Sequence, residues 1–251
     1  MSKAAAISKP AQGRTGRPVR AAVFAVFMFL LAIVMGLVCS PLLLGPRGPV
    51  RVIVRLWVRW VLGALKLLCG ITVEVRGREH MPKGAALIAA KHQGMLDTIA
   101  PFLFLDDPCV VLKKELMRIP IYGWYAAKMG MIPVDRQAGS KAVRDLLHAA
   151  RGKLEEGRQI IIFPEGTRKL PGEAPDYKPG IAGLYRDLSL DCAPMATNSG
   201  LYWPAHGLNK YPGPAVFEFL PPIPAGLKRG AFMQELQTRI ETASASLAAE
   251  V

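Results

Sequence analysis

Residues 21–44 form an unbroken run of 24 residues without a charged side chain, AAVFAVFMFLLAIVMGLVCSPLLL. A helix of this length is long enough to cross the hydrocarbon core of a bilayer, which is about 30 Å thick. A cleaved signal peptide is the alternative, but its apolar region usually has only about 7–15 residues, and no small-residue cleavage site follows here. The run therefore predicts a retained membrane-associated helix.

Basic residues flank this run on both sides. Residues 1–20 contain five Lys or Arg and no acidic residue, which predicts a disordered basic tail. Because positive charge lies at both ends of the run, the positive-inside rule selects neither orientation. The run either spans the bilayer or enters it as a hairpin from the cytoplasmic face, and the hairpin is compatible with both flanks.

The pattern of residues 50–69 predicts an amphipathic helix. We therefore expect residues 21–70 together to form a membrane-associated segment. Arg51, Arg55, Arg59 and Lys66 recur at four- and seven-residue steps and form one face of a helix, which we call the basic stripe. Arginines at this density are rare in hydrocarbon, whereas a helix lying on anionic lipid carries them. The alternative is a surface helix packed on the globular domain.

Beyond residue 70, short apolar strands alternate with amphipathic helices. This alternation predicts an α/β domain over residues 71–251, with a central, largely parallel sheet and flanking helices. Ligands of such sheets collect at the carboxyl ends of the strands. His92 and Glu165 each follow a predicted buried strand, AALIAA and QIIIF respectively. We therefore expect the functional site to include both.

Composition limits the class of ligand. The net charge of +13 suits an anionic partner, either nucleic acid or phospholipid, and a hydrophobic content of 51% favours lipid. The four cysteines are far apart, with no CxxC pair and no cluster of histidines. Neither a disulfide framework nor a zinc site is predicted, and a reducing, cytosolic environment fits.

His92 and Asp97 lie five positions apart where the first of these strands ends. On one continuous helix their side chains would point about 140° apart. They can meet only if His92 lies in a turn and Asp97 in the first turn of the next helix, which Gly94 permits. An aspartate bonded to one imidazole nitrogen makes the other a better base for a hydroxyl proton. No GxSxG context suggests a covalent acyl-enzyme.

The sequence FPEGTR, residues 163–168, follows the second buried strand. Arg168 offers planar, bidentate donors that suit a phosphate group. Gly166 lets the backbone approach a ligand, and Thr167 can donate a hydroxyl. The alternative is an ordinary strand-to-loop turn with a solvated arginine.

Together, HxxxxD at residues 92–97 and FPEGTR resemble the glycerolipid acyltransferase family, in particular the 1-acylglycerol-3-phosphate acyltransferases. Between them, GMIPVDR resembles the middle block of the family, whose arginine binds substrate and is Arg136 here. YKPGIA, with Lys178, resembles a lysine-and-glycine stretch beyond FPEGTR, and CAPMATNSG, with Pro194, occupies the place of the last block. The resemblance covers roughly residues 70–220.

This chain departs from the family around the proposed base. The family commonly has Asn before the histidine and Ser two positions after it, where this chain has Lys91 and Gly94. Lys91 adds a positive charge beside His92, which disfavours the protonated imidazole unless Asp97 or a bound phosphate offsets it.

The resemblance implies an enzyme that moves a fatty acyl group from a thioester, acyl-CoA or acyl carrier protein, to the free hydroxyl of 1-acylglycerol-3-phosphate, giving phosphatidic acid. His92, oriented by Asp97, would be the base. The substrate-binding residues that it implies are Arg136, Glu165, Gly166, Thr167, Arg168 and Lys178. Glu165 would position the glycerol or neighbouring basic groups. No metal or other cofactor is expected, and the site of action would be the cytoplasmic face of the inner cell membrane.

Three alternatives compete with this hypothesis. Another lysolipid acceptor, such as lyso-ornithine lipid, would use the same chemistry. A non-catalytic protein whose basic stripe binds anionic membrane explains the charge but leaves His92, Asp97 and FPEGTR without a role. A nucleic-acid binder is not expected, because residues 21–44 are apolar and no recognised binding motif is present.

Overall fold

The computed structural model describes residues 16–251, so the first 15 residues of the predicted tail lie outside the described part of the chain. Helix α1, Pro18–Val38, begins within the predicted tail. Residues 18–20, which were predicted as part of the tail, are therefore helical. Pro18 suits the first turn of a helix, because its ring fixes the required φ and it has no N–H that would be left unpaired. A 3₁₀ turn, Ser40–Leu44, then leads to helix α2, Arg47–Ala64, which ends in a π-helical turn, Leu65–Cys69.

Helix α1 is the helix in residues 16–251 that is long and apolar enough to cross a membrane. Its 21 residues extend about 31 Å at 1.5 Å per residue. The residues that it buries lie on one face and are Ala21, Phe24, Met28 and Gly36. Phe24 packs edge-on against Trp203 with ring centroids 5.3 Å apart. Only 22% of its most apolar window is buried, so most of the helix presents apolar side chains outward.

The domain that follows is built on a seven-stranded sheet. Its strands are β1 Ile71–Arg76, β2 Ala86–Ala90, β3 Pro108–Lys113, β4 Ile132–Val134, β5 Gln159–Ile162, β6 Cys192–Thr197 and β7 Gly213–Phe219. The strand order is β1-β7-β6-β2-β5-β3-β4, and every neighbouring pair is parallel except β6 with β7. The predicted α/β class with a largely parallel sheet is confirmed.

Helices cover both faces of the sheet. Those after α2 are α3 Leu96–Ile99, α4 Pro101–Phe104, α5 Tyr122–Lys128, α6 Ser140–Glu155, α7 Gly180–Leu188 and α8 Arg229–Ala249. Successive residues of β2 point to opposite faces, so that Ile88 packs into the core under α1 to α5 and Leu87 into the core under α6 to α8. Burial on both faces explains the continuous apolar sequence of β2 and β5.

The basic stripe of α2 faces protein over its first half. Arg51 lies 3.6 Å from the carboxylate of Asp107, and Arg55 donates to the carbonyls of Leu105 and Asp106 at 2.8 and 2.6 Å. These contacts favour, for the first half of the stripe, the alternative of a helix packed on the domain, because the chain after α4 supplies Arg51 with a carboxylate and Arg55 with two carbonyls. The binding of the stripe to lipid stays a prediction.

Candidate active site

The strand β2 ends where the predicted base begins. The N–H of Lys91 still donates to the carbonyl of Met195 in β6 (2.9 Å). The chain then leaves the sheet, so that His92 lies in a turn and Asp97 is the second residue of α3. This is the arrangement that the five-residue spacing requires if the two side chains are to meet, and His92 Nδ1 lies 3.1 Å from Asp97 Oδ2.

The carboxylate of Asp97 is 0% exposed and accepts four hydrogen bonds. Oδ2 accepts from the His92 ring and from the backbone N–H groups of Gln93 (2.6 Å) and Gly94 (2.8 Å), and Oδ1 accepts from the Ser199 hydroxyl. Since an ionised carboxylate can only accept, the proton of the neutral imidazole lies on Nδ1. Nε2 of His92 is then left as the basic nitrogen.

The backbone and ring of His92 are held from several sides. The ring stacks on Phe163, with centroids 4.1 Å apart. The backbone N–H donates to Glu165 Oε2 at 3.3 Å, and the backbone carbonyl accepts from the N–H of Lys169 at 2.8 Å. The His92 side chain is nevertheless 12% exposed, so a fixed imidazole keeps an edge open to a reactant.

Glu165, in the FPEGTR turn, does not face outward. Its side chain is fully buried, and Oε1 accepts from the ammonium of Lys91 at 2.7 Å. Burial raises the pKa of the Glu165 carboxyl, and the hydrogen bond from Lys91 opposes that increase. Because both oxygens have protein partners, the carboxylate holds Lys91 and His92. These contacts are those of a group that positions a neighbouring basic residue, one of the two roles expected for Glu165, and the contact with glycerol stays a prediction.

Lys91 does not place an uncompensated charge beside the imidazole. Its ammonium is 3% exposed and also donates to Glu241 in α8, at 2.8 Å. The charge that Lys91 adds beside His92 is therefore offset, and the groups that offset it are Glu165 and Glu241, which the sequence did not indicate for this role.

The predicted phosphate-binding cations are exposed. Arg168 and Arg136 have no hydrogen bond or ion pair within residues 16–251. Gly166, with φ of +65°, makes the turn that leads to Arg168, and Thr167 is exposed beside it. The turn carries cationic and hydroxyl donors that lack protein partners, which suits an anionic ligand.

Lys178 and Arg136 differ in how close the fold brings them to this turn. The backbone N–H of Lys178 donates to the carbonyl of Pro164 (2.8 Å), and its ammonium pairs with Asp176. Arg136 instead follows β4, the edge strand, which β3 and β5 separate from β2. The FPEGTR turn follows β5, and two strand spacings of about 4.8 Å place the ends of β5 and β4 about 10 Å apart. The structure thus brings Lys178 to the FPEGTR turn and leaves Arg136 at the edge.

Sequence reasoning missed three residues that support the site. Ser199 donates to Asp97, and Gln93 Oε1 accepts from the N–H of Gly200 at 3.0 Å. Ser199 lies in the stretch that resembles the last family block, so its position could have indicated a role. Glu241 lies in the C-terminal helix, where no motif marks it.

Comparison with known proteins gives related sequences and one related fold. A family model described as Acyltransferase matches residues 72–198. A 1-acyl-sn-glycerol-3-phosphate acyltransferase from Pseudomonas aeruginosa is 32% identical over 205 residues, 82% of this chain and 80% of that protein. A protein of the same name from Helicobacter pylori is 33% identical over 179 residues, covering 69% and 73% of the two chains.

One solved structure with the related fold is the crystal structure of the 1-acyl-sn-glycerophosphate (LPA) acyltransferase from Thermotoga maritima. It matches with a TM-score of 0.75 over 92% of this chain and 97% of that one, at 20% sequence identity. At this level of identity, the match shows that the two chains share a fold.

Proposed function

The chain belongs to the acyltransferase family, and from that premise we propose that it acylates the free hydroxyl of 1-acylglycerol-3-phosphate with a thioester donor, giving phosphatidic acid in phospholipid biosynthesis. One observation carries the proposal: the buried Asp97 holds Nδ1 of His92, and Nε2 has no partner among residues 16–251, on a side chain that is 12% exposed. The names of the relatives from Pseudomonas aeruginosa and Helicobacter pylori support the same reaction.

In the proposed reaction, Nε2 of His92 takes the proton of the acceptor hydroxyl as its oxygen attacks the thioester carbonyl. A C–O bond forms, the tetrahedral intermediate collapses, and the C–S bond breaks. The imidazolium returns its proton to the departing thiolate. The Asp97 carboxylate, 3.1 Å from Nδ1, stabilises the imidazolium while it exists.

The acceptor phosphate is proposed to bind at the FPEGTR turn. Arg168 can donate two parallel hydrogen bonds to phosphate oxygens, and Lys178 and Thr167 add a cation and a hydroxyl at the same turn. Arg136 extends this basic surface toward β4 and can contact the phosphate or the anionic carrier of the donor. The donor is coenzyme A or acyl carrier protein, and a thioester needs no metal or further cofactor for acyl transfer.

We also propose that the enzyme works on the cytoplasmic face of the inner membrane. Helix α1 exposes a broad apolar surface, with Phe29, Leu30 and Val34 about half exposed. On α2, Arg59 and Lys66 are exposed next to the exposed Trp60 and Leu67. A surface with apolar, aromatic and basic side chains suits an anionic membrane, whose lipids also supply the acceptor.

The test is an acyl-transfer assay with the full chain purified in detergent. Acyl-CoA or acyl carrier protein thioester is combined with lysophosphatidate, and thiol release and phosphatidate are both measured. Wild type should form both products, and His92→Ala should lose at least a thousandfold in rate. His148→Ala is the matched control, because His148 is an exposed residue of α6 and its loss should change neither product.

Each of the other outcomes of this assay would indicate a different function. Thiol release without phosphatidate would identify another acceptor, and lyso-ornithine lipid is the first to try. If wild type and His92→Ala are equally inactive with every lysolipid and either carrier, the enzyme hypothesis fails. A non-catalytic protein of anionic membrane surfaces then accounts best for the chain.

A further inference from the structure

Behind the turn that carries His92, the buried Lys91 lies in a cluster of charged groups, of which Glu165 is also buried and Glu241 is 26% exposed. Its Nζ donates to Glu165 Oε1 at 2.7 Å and to the two oxygens of Glu241 at 2.8 and 2.9 Å. All three N–H donors of the ammonium are therefore taken. The Tyr177 hydroxyl also donates to Glu241 Oε1, at 2.9 Å. We call Lys91, Glu165, Glu241 and Tyr177 the Lys91 cluster.

The Lys91 cluster depends on its one cation. Two carboxylates close together in a site poor in water cannot both stay ionised unless a cation compensates them. Burial raises the pKa of Glu165, and the hydrogen bond from Lys91 is the largest effect that lowers it. Burial and the Glu241 carboxylate raise the pKa of Tyr177, which keeps its hydroxyl a donor. The ionised state of Glu165 therefore depends on Lys91.

Glu165 connects this cluster to the proposed base. Its second oxygen accepts the backbone N–H of His92 at 3.3 Å, so Lys91 acts on His92 through the main chain. Asp97 acts on the ring of the same residue. Two buried carboxylates thus define where the imidazole lies, and only one of them was expected from the HxxxxD motif.

The cluster also holds the loop that carries Lys178. Tyr177, which precedes Lys178, is bound to Glu241 of α8, and the N–H of Lys178 is bound to Pro164. Glu241 lies beyond residues 72–198, the part matched by the family model. The C-terminal helix therefore adds to the site a residue that the matched domain does not contain.

We propose that Lys91 and Glu241 are positioning residues for acyl transfer. Held between two carboxylates, the Lys91 ammonium keeps Glu165 on the backbone of His92 and, through Glu241, keeps the loop of Tyr177 and Lys178 on α8. This inference rests on the proposed function, because it takes His92 as the base.

The test compares Lys91→Met and Glu241→Gln with wild type in the acyl-transfer assay. Lys91→Met should lower kcat at least tenfold and Glu241→Gln about threefold, with the KM for the thioester unchanged within twofold. Glu235→Gln is the matched control, since Glu235 lies on the same helix and pairs with the partly exposed Arg239. It should leave kcat unchanged.

The pH profile separates positioning from general damage to the fold. Without Lys91, Glu165 ionises at higher pH, so the acidic limb of kcat should move to higher pH in Lys91→Met. In Glu241→Gln, Lys91 still pairs with Glu165, so that limb should not move upward. The titratable groups whose charges act on Glu165 are Lys91, Glu241, Tyr177 and Lys169.

A double variant tests whether Lys91 works through Glu165. Lys91→Met/Glu165→Gln removes the cation and one carboxylate together, which leaves less uncompensated charge than Lys91→Met alone. If the two residues act as one unit, kcat of the double variant should match that of Lys91→Met within twofold. Losses that multiply would show independent roles and overturn the proposed route through Glu165.

Selective ¹⁵N-histidine labelling tests the same contact without turnover. The chain has four histidines, and His92→Ala assigns the His92 amide. This resonance should shift in Glu165→Gln, which changes the acceptor of the His92 N–H, less in Glu241→Gln and not in Glu235→Gln. A folded Lys91→Met protein with kcat within twofold of wild type and an acidic limb that does not move overturns the proposal.

Two further outcomes remain decisive. If Lys91→Met does not fold, Glu241→Gln decides, and an unchanged kcat with an unchanged His92 amide overturns the proposal. If wild type makes no phosphatidate while the amide still shifts in Glu241→Gln, the proposed function fails and the positioning of His92 by the Lys91 cluster stands.

Discussion

Two sets of arginines in this chain have opposite surroundings. Arg47 and Arg55 of α2 are bound to the chain after α4, through the Asp107 carboxylate at 2.7 Å and the carbonyls of Leu105 and Asp106. Arg136 and Arg168 are exposed and have no partner within the described residues. The first set joins the N-terminal helices to the domain, and the second set is free for an anionic ligand.

The physical difference between the sets is the stretch 105–107, whose backbone carbonyls bind Arg55 and whose Asp107 carboxylate binds Arg47. That carboxylate also lies 3.5 Å from the guanidinium of Arg158, which is 0% exposed and donates to backbone carbonyls. A buried guanidinium needs a counter-charge, whereas an exposed one has water. An arginine with a carboxylate or carbonyl close by therefore stabilises the fold, and an exposed arginine without such a partner can bind an anionic ligand.

The largest effect, a loss of stability, is expected when the Asp107 carboxylate that pairs with Arg47 is removed. Asp107→Asn leaves the buried Arg158 with only the more distant and more exposed Glu156 carboxylate, at 3.9 Å, and should lower the free energy of unfolding by about 3 kcal/mol. Chemical denaturation measures this, and protein that remains folded should keep its kcat. Asp106→Asn is the control, because Arg55 binds the backbone carbonyl of Asp106 and not its side chain. Equal stability of the two variants would contradict the role given to Asp107.

The second effect is expected when one of the two exposed arginines, Arg136 and Arg168, is replaced; we call these two the binding set. Arg168→Ala should lower kcat/KM for lysophosphatidate about 100-fold, because it removes two charge-assisted hydrogen bonds to phosphate. The melting temperature should stay within about 2 °C of wild type, since the side chain has no partner to lose. Arg168→Lys should recover only part of the activity, because an ammonium lacks the planar fork. A full recovery would show that charge alone matters.

A third, smaller effect compares the two arginines of the binding set with each other. Arg136→Ala should lower kcat/KM about tenfold, which is about 1.4 kcal/mol, because Arg136 lies at the edge strand, away from the FPEGTR turn. The steady-state assay that is applied to Arg168 also measures this. If Arg136→Ala costs more than Arg168→Ala, the phosphate binds nearer β4 than we propose.

The smallest effect, on binding to lipid vesicles, compares the exposed Arg59 of α2 with Arg55, which is bound to protein. Arg59→Ala should weaken binding to vesicles of anionic lipid about fivefold, the value for about 1 kcal/mol per basic residue near the surface. Arg55→Ala should leave vesicle binding unchanged and lower stability instead. Cosedimentation with vesicles of 30% phosphatidylglycerol tests both variants. Equal loss of binding in the two would mean that the whole basic stripe faces lipid.

Much of the fold and part of the site could be predicted from local sequence. The apolar runs of β2 and β5 predicted buried parallel strands, because strands covered on both faces have no polar alternation. The spacing of His92 and Asp97 indicated a turn between strand and helix. FPEGTR placed Glu165 and Arg168 at the end of a neighbouring strand. These features depend on residues a few positions apart, which is why the sequence shows them.

The sequence by itself determined the class of fold, the apolar α1, the His92–Asp97 pair and the cations near the proposed phosphate site. Only the tertiary structure decided that half of the basic stripe binds Asp107 and its neighbours, that Lys91 is paired with Glu241, and that Arg136 lies at the edge of the sheet. The reason is physical. Periodicity shows which side chains share a face, but the partner of a buried charge comes from elsewhere in the chain, 150 positions away for Lys91.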